Sequence, residues 1–115
     1  MPYILALLLT LAAAWTGLTA QAGAHPALAL QQAMVGAPIG AVLALALSRT
    51  RTPKVAQLML WAVLLLAAFA MAALGKQRFV ASYAEDAFAG HLWHYGWIAA
   101  LAALTALNAV VLSRR

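Results

Sequence analysis

Residues 53–76 read PKVAQLMLWAVLLLAAFAMAALGK, and no charged residue stands between Lys54 and Lys76. A helix needs about 20 consecutive apolar residues to cross the hydrocarbon of a bilayer. This run meets that length, with Thr52 placed as N-cap, Pro53 opening the helix and Gly75 placed as C-cap. A transmembrane span over 53–74 is the expectation. The rest of the chain is read outward from it.

The composition agrees with that reading. Of 115 residues, 67% are hydrophobic and 8% charged, and the mean hydropathy is +0.93. A soluble domain carries roughly a quarter charged residues. The seven basic and two acidic side chains here cannot make a water-facing surface, so an all-α integral membrane protein is expected, one membrane domain over 1–115. The net charge of +5 does not point to nucleic acid. Its basic residues lie at span ends, where they set topology and meet lipid headgroups. With no cysteine, disulfides, thiolate metal sites and covalent c-type haem attachment are excluded.

Three further spans are expected, over about 3–20, 28–48 and 92–113, which makes a four-helix antiparallel bundle. Pro2 suits a first helical position. A secretory signal over 1–22 is a rival for the first span, but MPYI lacks the basic residues of such a segment. Short connections predict that spans one, two and three pack as neighbours. Between spans three and four, Ser82 and Glu85 have capping-box spacing. Phe79, Tyr83 and Ala87 recur at helical intervals with Val80 and Phe88. A short amphipathic helix over 79–90 is therefore expected in the outer interface or as an outward extension of span four, bending at Gly90.

Topology follows from Lys and Arg. Arg49, Arg51 and Lys54 lie between spans two and three, and Arg114 and Arg115 in the tail, against Lys76 and Arg78 opposite. Positive-inside counting predicts both termini in the cytoplasm of a bacterial-type inner membrane, with 21–27 and 76–91 outside.

Between the span ends there is no Asp, Glu, Lys or Arg, so a coupling ion has no titratable group to bind. In length and span number the chain is similar to small multidrug transporters, yet that family's first-span glutamate has no counterpart between Tyr3 and Ala20. Catalysis is not expected either. The carboxylates are Glu85 and Asp86 alone, and Ser48, Ser82 and Ser113 lack a base and acid around them.

Residues 90–97, GHLWHYGW, gather histidines and aromatics. His91 and His94 point about 60° apart on a helix. Asp86 lies about 80° from His94, on the side away from His91. With His25 from the first loop these residues could hold copper, zinc or nickel, and Met34 could add a soft ligand for Cu(I). The plainer reading makes Trp93, Tyr95 and Trp97, with Trp15 at the same level, an interfacial aromatic belt carrying solvated histidines. A b-type haem is not expected, because only His25 could oppose His94. A quinone could pack on Trp97, Tyr95 and His94, without a distinguishing signature.

Helix packing is the remaining signal. Gly36 and Gly40 form a GxxxG pair around Pro38, which should kink its span. Spans three and four are rich in alanine. Asn108, one turn from Thr105, should seek an interhelical hydrogen bond. Together these features predict a small non-catalytic subunit or assembly factor that packs on a larger membrane complex or on itself. The alternatives are an outer-face copper-handling protein using His25, His91, His94 and Asp86, and a small uncoupled oligomeric transporter.

Overall fold

The computed structural model describes residues 2–21, 29–82 and 86–113, and every regular element among them is helical. The helices are α1 Pro2–Trp15, the single turn α2 Leu18–Gln21, α3 Ala29–Ser48, α4 Lys54–Ala81 and α5 Ala87–Leu112. Three segments are long and apolar enough to cross a bilayer: Leu30–Ser48, Lys54–Ala81 and Ala87–Leu112. Along α4, Lys54 and Lys76 stand about 33 Å apart at 1.5 Å per residue. That matches the roughly 30 Å of hydrocarbon, so the charge-free run of α4 is long enough to cross it.

The pattern of burial is that of a protein solvated by lipid. Nearly all of the core is small: Ala6, Ala33, Ala37, Ala44, Ala72 and Ala106 are fully buried. Large aliphatics point outward, with Leu66 69% and Val42 64% exposed. Water would reverse this arrangement. In lipid it is favourable, because small residues let backbones approach closely while leucine costs nothing on the outside. Two core layers each wrap alanines around one tryptophan. Trp97 sits among Ala14, Ala33, Ala68, Ala72 and Ala100, and Trp61 among Ala6, Ala44, Ala106 and Ala109.

Helix α5 is the centre of the bundle. In its apolar window 56% of residues are buried, against 22% in that of α4. It packs against α4, α3 and α1, and α1 also packs on α3. The expected adjacency of the first three spans therefore holds for α1 and α3 but not for α3 and α4, which lie on different sides of α5. The cause is in the stripes. Gly36, Gly40 and Ala44 on α3, and Ala68, Ala72 and Gly75 on α4, each present a small-residue face that fits α5. Lys54 Nζ donates to Ser113 O at 2.9 Å, fixing the start of α4 to the end of α5.

Three boundaries differ from the sequence expectation. The first span is interrupted: α1 stops at Trp15, and Gly17 takes φ +89°, a left-handed conformation that glycine adopts without strain. Thr16 Oγ1 donates to Ala13 O at 3.1 Å and closes that end. At 14 residues, α1 is about 21 Å long and falls short of the hydrocarbon thickness by itself.

The second difference concerns α4, which does not stop at Gly75 but runs on to Ala81. Gly75 is a packing residue. A Cβ there would lie 2.6 Å from Trp93 N and 2.7 Å from Ala89 O, so glycine is required where α5 approaches. At the other end of α4 the N-cap is Pro53, with no side-chain cap, not Thr52.

The third difference is that no separate helix spans 79–90. Phe79 to Ala81 finish α4 and Ala87 to Gly90 begin α5. Ser82 Oγ donates to Phe79 O at 2.9 Å and accepts from Asp86 N at 3.0 Å. The N-cap of α5 is Asp86, whose carboxylate accepts from Ala89 N at 3.0 Å. Glu85, the expected partner of Ser82, lies outside the described residues, as do Tyr83, His25, Arg114 and Arg115.

Candidate functional site

The histidine segment lies within the first three turns of α5, and its side chains part company there. His94 turns toward α3, where its Nδ1 lies 3.0 Å from Gln32 Nε2. Gln32 is 1% exposed, and its amide oxygen has no hydrogen-bond partner. Sequence reading had not singled out Gln32. The signal is its place one turn before Gly36 and two before Gly40, on the stripe that α3 presents to α5. His91 is exposed and its ring lies 5.8 Å from that of Tyr95. The His94 ring meets Tyr95 edge-on at 5.1 Å. Both imidazoles therefore lie against Tyr95.

Asp86 is engaged as the helix cap described above. Among the described residues no three His, Cys, Asp or Glu side chains gather. Met34 is exposed.

The aromatics also divide. Trp15 is 77% exposed and Tyr95 60%, as belt residues would be. Trp93 is half-buried, 5.9 Å from the Phe79 ring, with Lys76 Nζ 5.8 Å above it. Trp97 faces inward, 6% exposed, its indole edge-on to Phe69 at 5.7 Å. The small Ala68 and Ala72 of α4 leave the room that draws this ring into the core.

The packing residues act inside the bundle. A Cβ on Gly36 would lie 2.6 Å from Ile98 O, and one on Gly40 would run into Ala102 O. Both glycines are used by α5, and Pro38 lies exposed on the opposite side of α3. Thr10 and Thr105 face each other across α1 and α5 with oxygens 2.6 Å apart, fully buried. Asn108 is half-buried at the far end of α5.

Because α3 and α4 sit apart on α5, a groove runs between them. It has a volume of about 610 Å³. Gly96, Ala99, Ala102 and Ala103 of α5 make its floor, Ile39 and Leu43 one wall, Leu64 and Met71 the other, and His91 and Tyr95 lie at its mouth. From His91 to Ala103 the floor extends about 18 Å along α5. Trp61 also lines the groove, and its indole N–H has no hydrogen-bond partner. The sequence signal was the run of alanine in 99–109. No protein-family model, curated protein or solved structure matches the chain.

Proposed function

We propose that the protein is a small non-catalytic subunit or assembly factor of a larger membrane complex, and that the groove between α3 and α4 receives a transmembrane helix of its partner. The observation that carries this reading is the floor of α5. Elsewhere on α5 the small residues carry a neighbouring helix, with Gly40 of α3 against Ala102 and Ala72 of α4 against Gly96. Ala99, one turn from the exposed Tyr95, is left open on the groove floor. Small-residue surfaces are what membrane helices use for close approach. A partner of this kind has large aliphatic side chains on the docking face.

In this reading α1 and α2 together make the first of four crossings. The basic loop 49–54 and the C-terminal arginines face the cytoplasm of a bacterial-type inner membrane, with the His91 end outside. Copper handling by His25, His91, His94 and Asp86 has less to support it, because Gln32 holds His94 and Asp86 caps α5. An uncoupled transporter has no polar path among the described residues to recommend it.

The test places a photo-crosslinking residue at Ala99 on the groove floor and, as control, at Val42 on the lipid-facing side of α3. In native membranes the Ala99 probe should give one discrete heteromeric product and the Val42 probe none. Ala99→Trp, which fills an exposed groove without entering the core, should remove that product and shrink the particle extracted in mild detergent. Crosslinks at Ala99 to lipid alone, or an unchanged particle in Ala99→Trp, would dismiss the docking reading.

A further inference from the structure

On the other side of α4 a second depression begins at the membrane surface, and we propose that it binds one anionic phospholipid. It has a volume of about 450 Å³, with Lys76 and Gln77 partway along it, Val80 and Ala81 beyond them toward the end of α4, and Ala73, Phe69 and Trp97 leading inward. Lys76 is its single charged lining residue. The position of this lysine suits a lipid phosphate. It stands at the end of the charge-free run of α4, about 33 Å from Lys54, where hydrocarbon gives way to headgroups.

The lysine is also held in place. Its ammonium group lies 5.8 Å over the Trp93 ring, within range of a cation–π contact, and this keeps it beside the crevice. From Lys76 inward to Phe69 the crevice descends about 10 Å along α4, enough to take the glycerol region and the first part of an acyl chain. Phe69 and Trp97, edge-on at 5.7 Å, form an apolar end for that chain to lie against.

The chemistry thus has a cation and an amide at headgroup depth, and rings and a small residue below them. A zwitterionic lipid satisfies the apolar part but brings its own cation toward Lys76. An anionic lipid satisfies both parts. This site shares no lining residue with the α3–α4 groove, so the two proposals stand or fall separately.

Delipidated protein in detergent is titrated with phosphatidylglycerol or phosphatidylcholine of identical chains, and bound lipid is counted by native mass spectrometry. Phosphatidylglycerol should be retained about fivefold better, the ratio equivalent to the ~1 kcal/mol that one basic residue near a membrane surface contributes. Lys76→Gln should abolish that preference. Arg78→Gln, the same charge change on an exposed neighbour, should leave it intact. Ala73→Leu keeps the charge and fills the crevice, and should lower retention of both lipids. Helical circular dichroism and a single elution peak establish that each variant is folded.

Equal retention of the two lipids overturns the proposal. So does a loss in Arg78→Gln matching that in Lys76→Gln, since surface charge alone would then account for binding. Full retention in Ala73→Leu, or displacement of the lipid by millimolar inorganic phosphate, rejects the crevice as a lipid site.

Discussion

The two sides of α5 are packed by different means. On the α3 side contact is made through backbone and polar groups. Gly36 and Gly40 bring the α3 backbone onto the carbonyls of Ile98 and Ala102, and Gln32 pairs with His94 at 3.0 Å. On the α4 side the middle of the contact is made through apolar side chains, with a backbone approach at the Gly75 end, where a Cβ would lie 2.6 Å from Trp93 N. Ala72 fits against Gly96, Phe69 meets Trp97, and no hydrogen bond joins side chains of α4 and α5 between Trp61 and Gly75 among the described residues. Apolar packing tolerates small slips, whereas a hydrogen bond at one level does not. The α3 side therefore sets the register of the bundle, and the α4 side supplies area.

The largest test of this contrast is Gly40→Val. The new Cβ would meet Ala102 O, part of the backbone of α5, which cannot step aside without moving the helix. Overpacking typically costs 1–3 kcal/mol and occasionally more, and a backbone obstacle belongs at the upper end, about 3 kcal/mol. Unfolding titrations in mixed micelles should show the bundle lost well before wild type. Gly96→Val on the other side meets Ala72, where a Cβ lies 2.9 Å from Cα, Cβ and N. It should cost less, about 2 kcal/mol, and Ala72→Gly should restore part of it. If Gly96→Val proved the worse of the two, the assignment of the stiffer contact to α3 would be wrong.

What the amino-acid pattern reveals follows the same division. Three of the four expected spans were legible because a charge-free run of membrane length has few other uses. Their ends were less so. Gly75 reads as a helix cap or as a packing notch, and only the neighbour at Trp93 N and Ala89 O decides. Similarly Gly36 and Gly40 announce a close approach without naming the helix that approaches. The centrality of α5 was not legible, because chain order places it last, while its surplus of alanine becomes meaningful only when three helices share it. Trp97 and Tyr95 read alike, since an amphipathic ring suits an interface as well as an interior. Gln32 was overlooked because an amide near a span end passes as an interfacial residue until its stripe-mates are seen.

Gln32 and His94 provide an intermediate test. Interhelical hydrogen bonds within membranes average about 0.6 kcal/mol and reach about 1.7. The fully buried Gln32 makes the upper half of that range the expectation, about 1 kcal/mol for Gln32→Leu. A double-mutant cycle with His94→Leu should return most of this as coupling. Additive losses would mean that the pair does not set register, and the contrast between the two sides would reduce to glycine alone.

The smallest effect should come from the hydroxyl pair, although it is the shortest of these contacts and the deepest. Thr10 Oγ1 lies 3.2 Å from Ala6 O, and Thr105 Oγ1 lies 2.9 Å from Leu101 O. Each hydroxyl therefore has a carbonyl in its own helix, four residues back, to which it can donate when the other is removed. For Gln32 the contact with His94 is the one hydrogen bond its side chain is seen to make, and its amide oxygen is without a partner. Thr10→Val keeps the shape of the side chain and leaves Thr105 satisfied by Leu101, so a cost of about 0.5 kcal/mol is expected. The cycle with Thr105→Val should show coupling of the same small size. A coupling as large as that of Gln32 and His94 would show that the hydroxyls, too, fix the register, through α1 and from the middle of the bilayer.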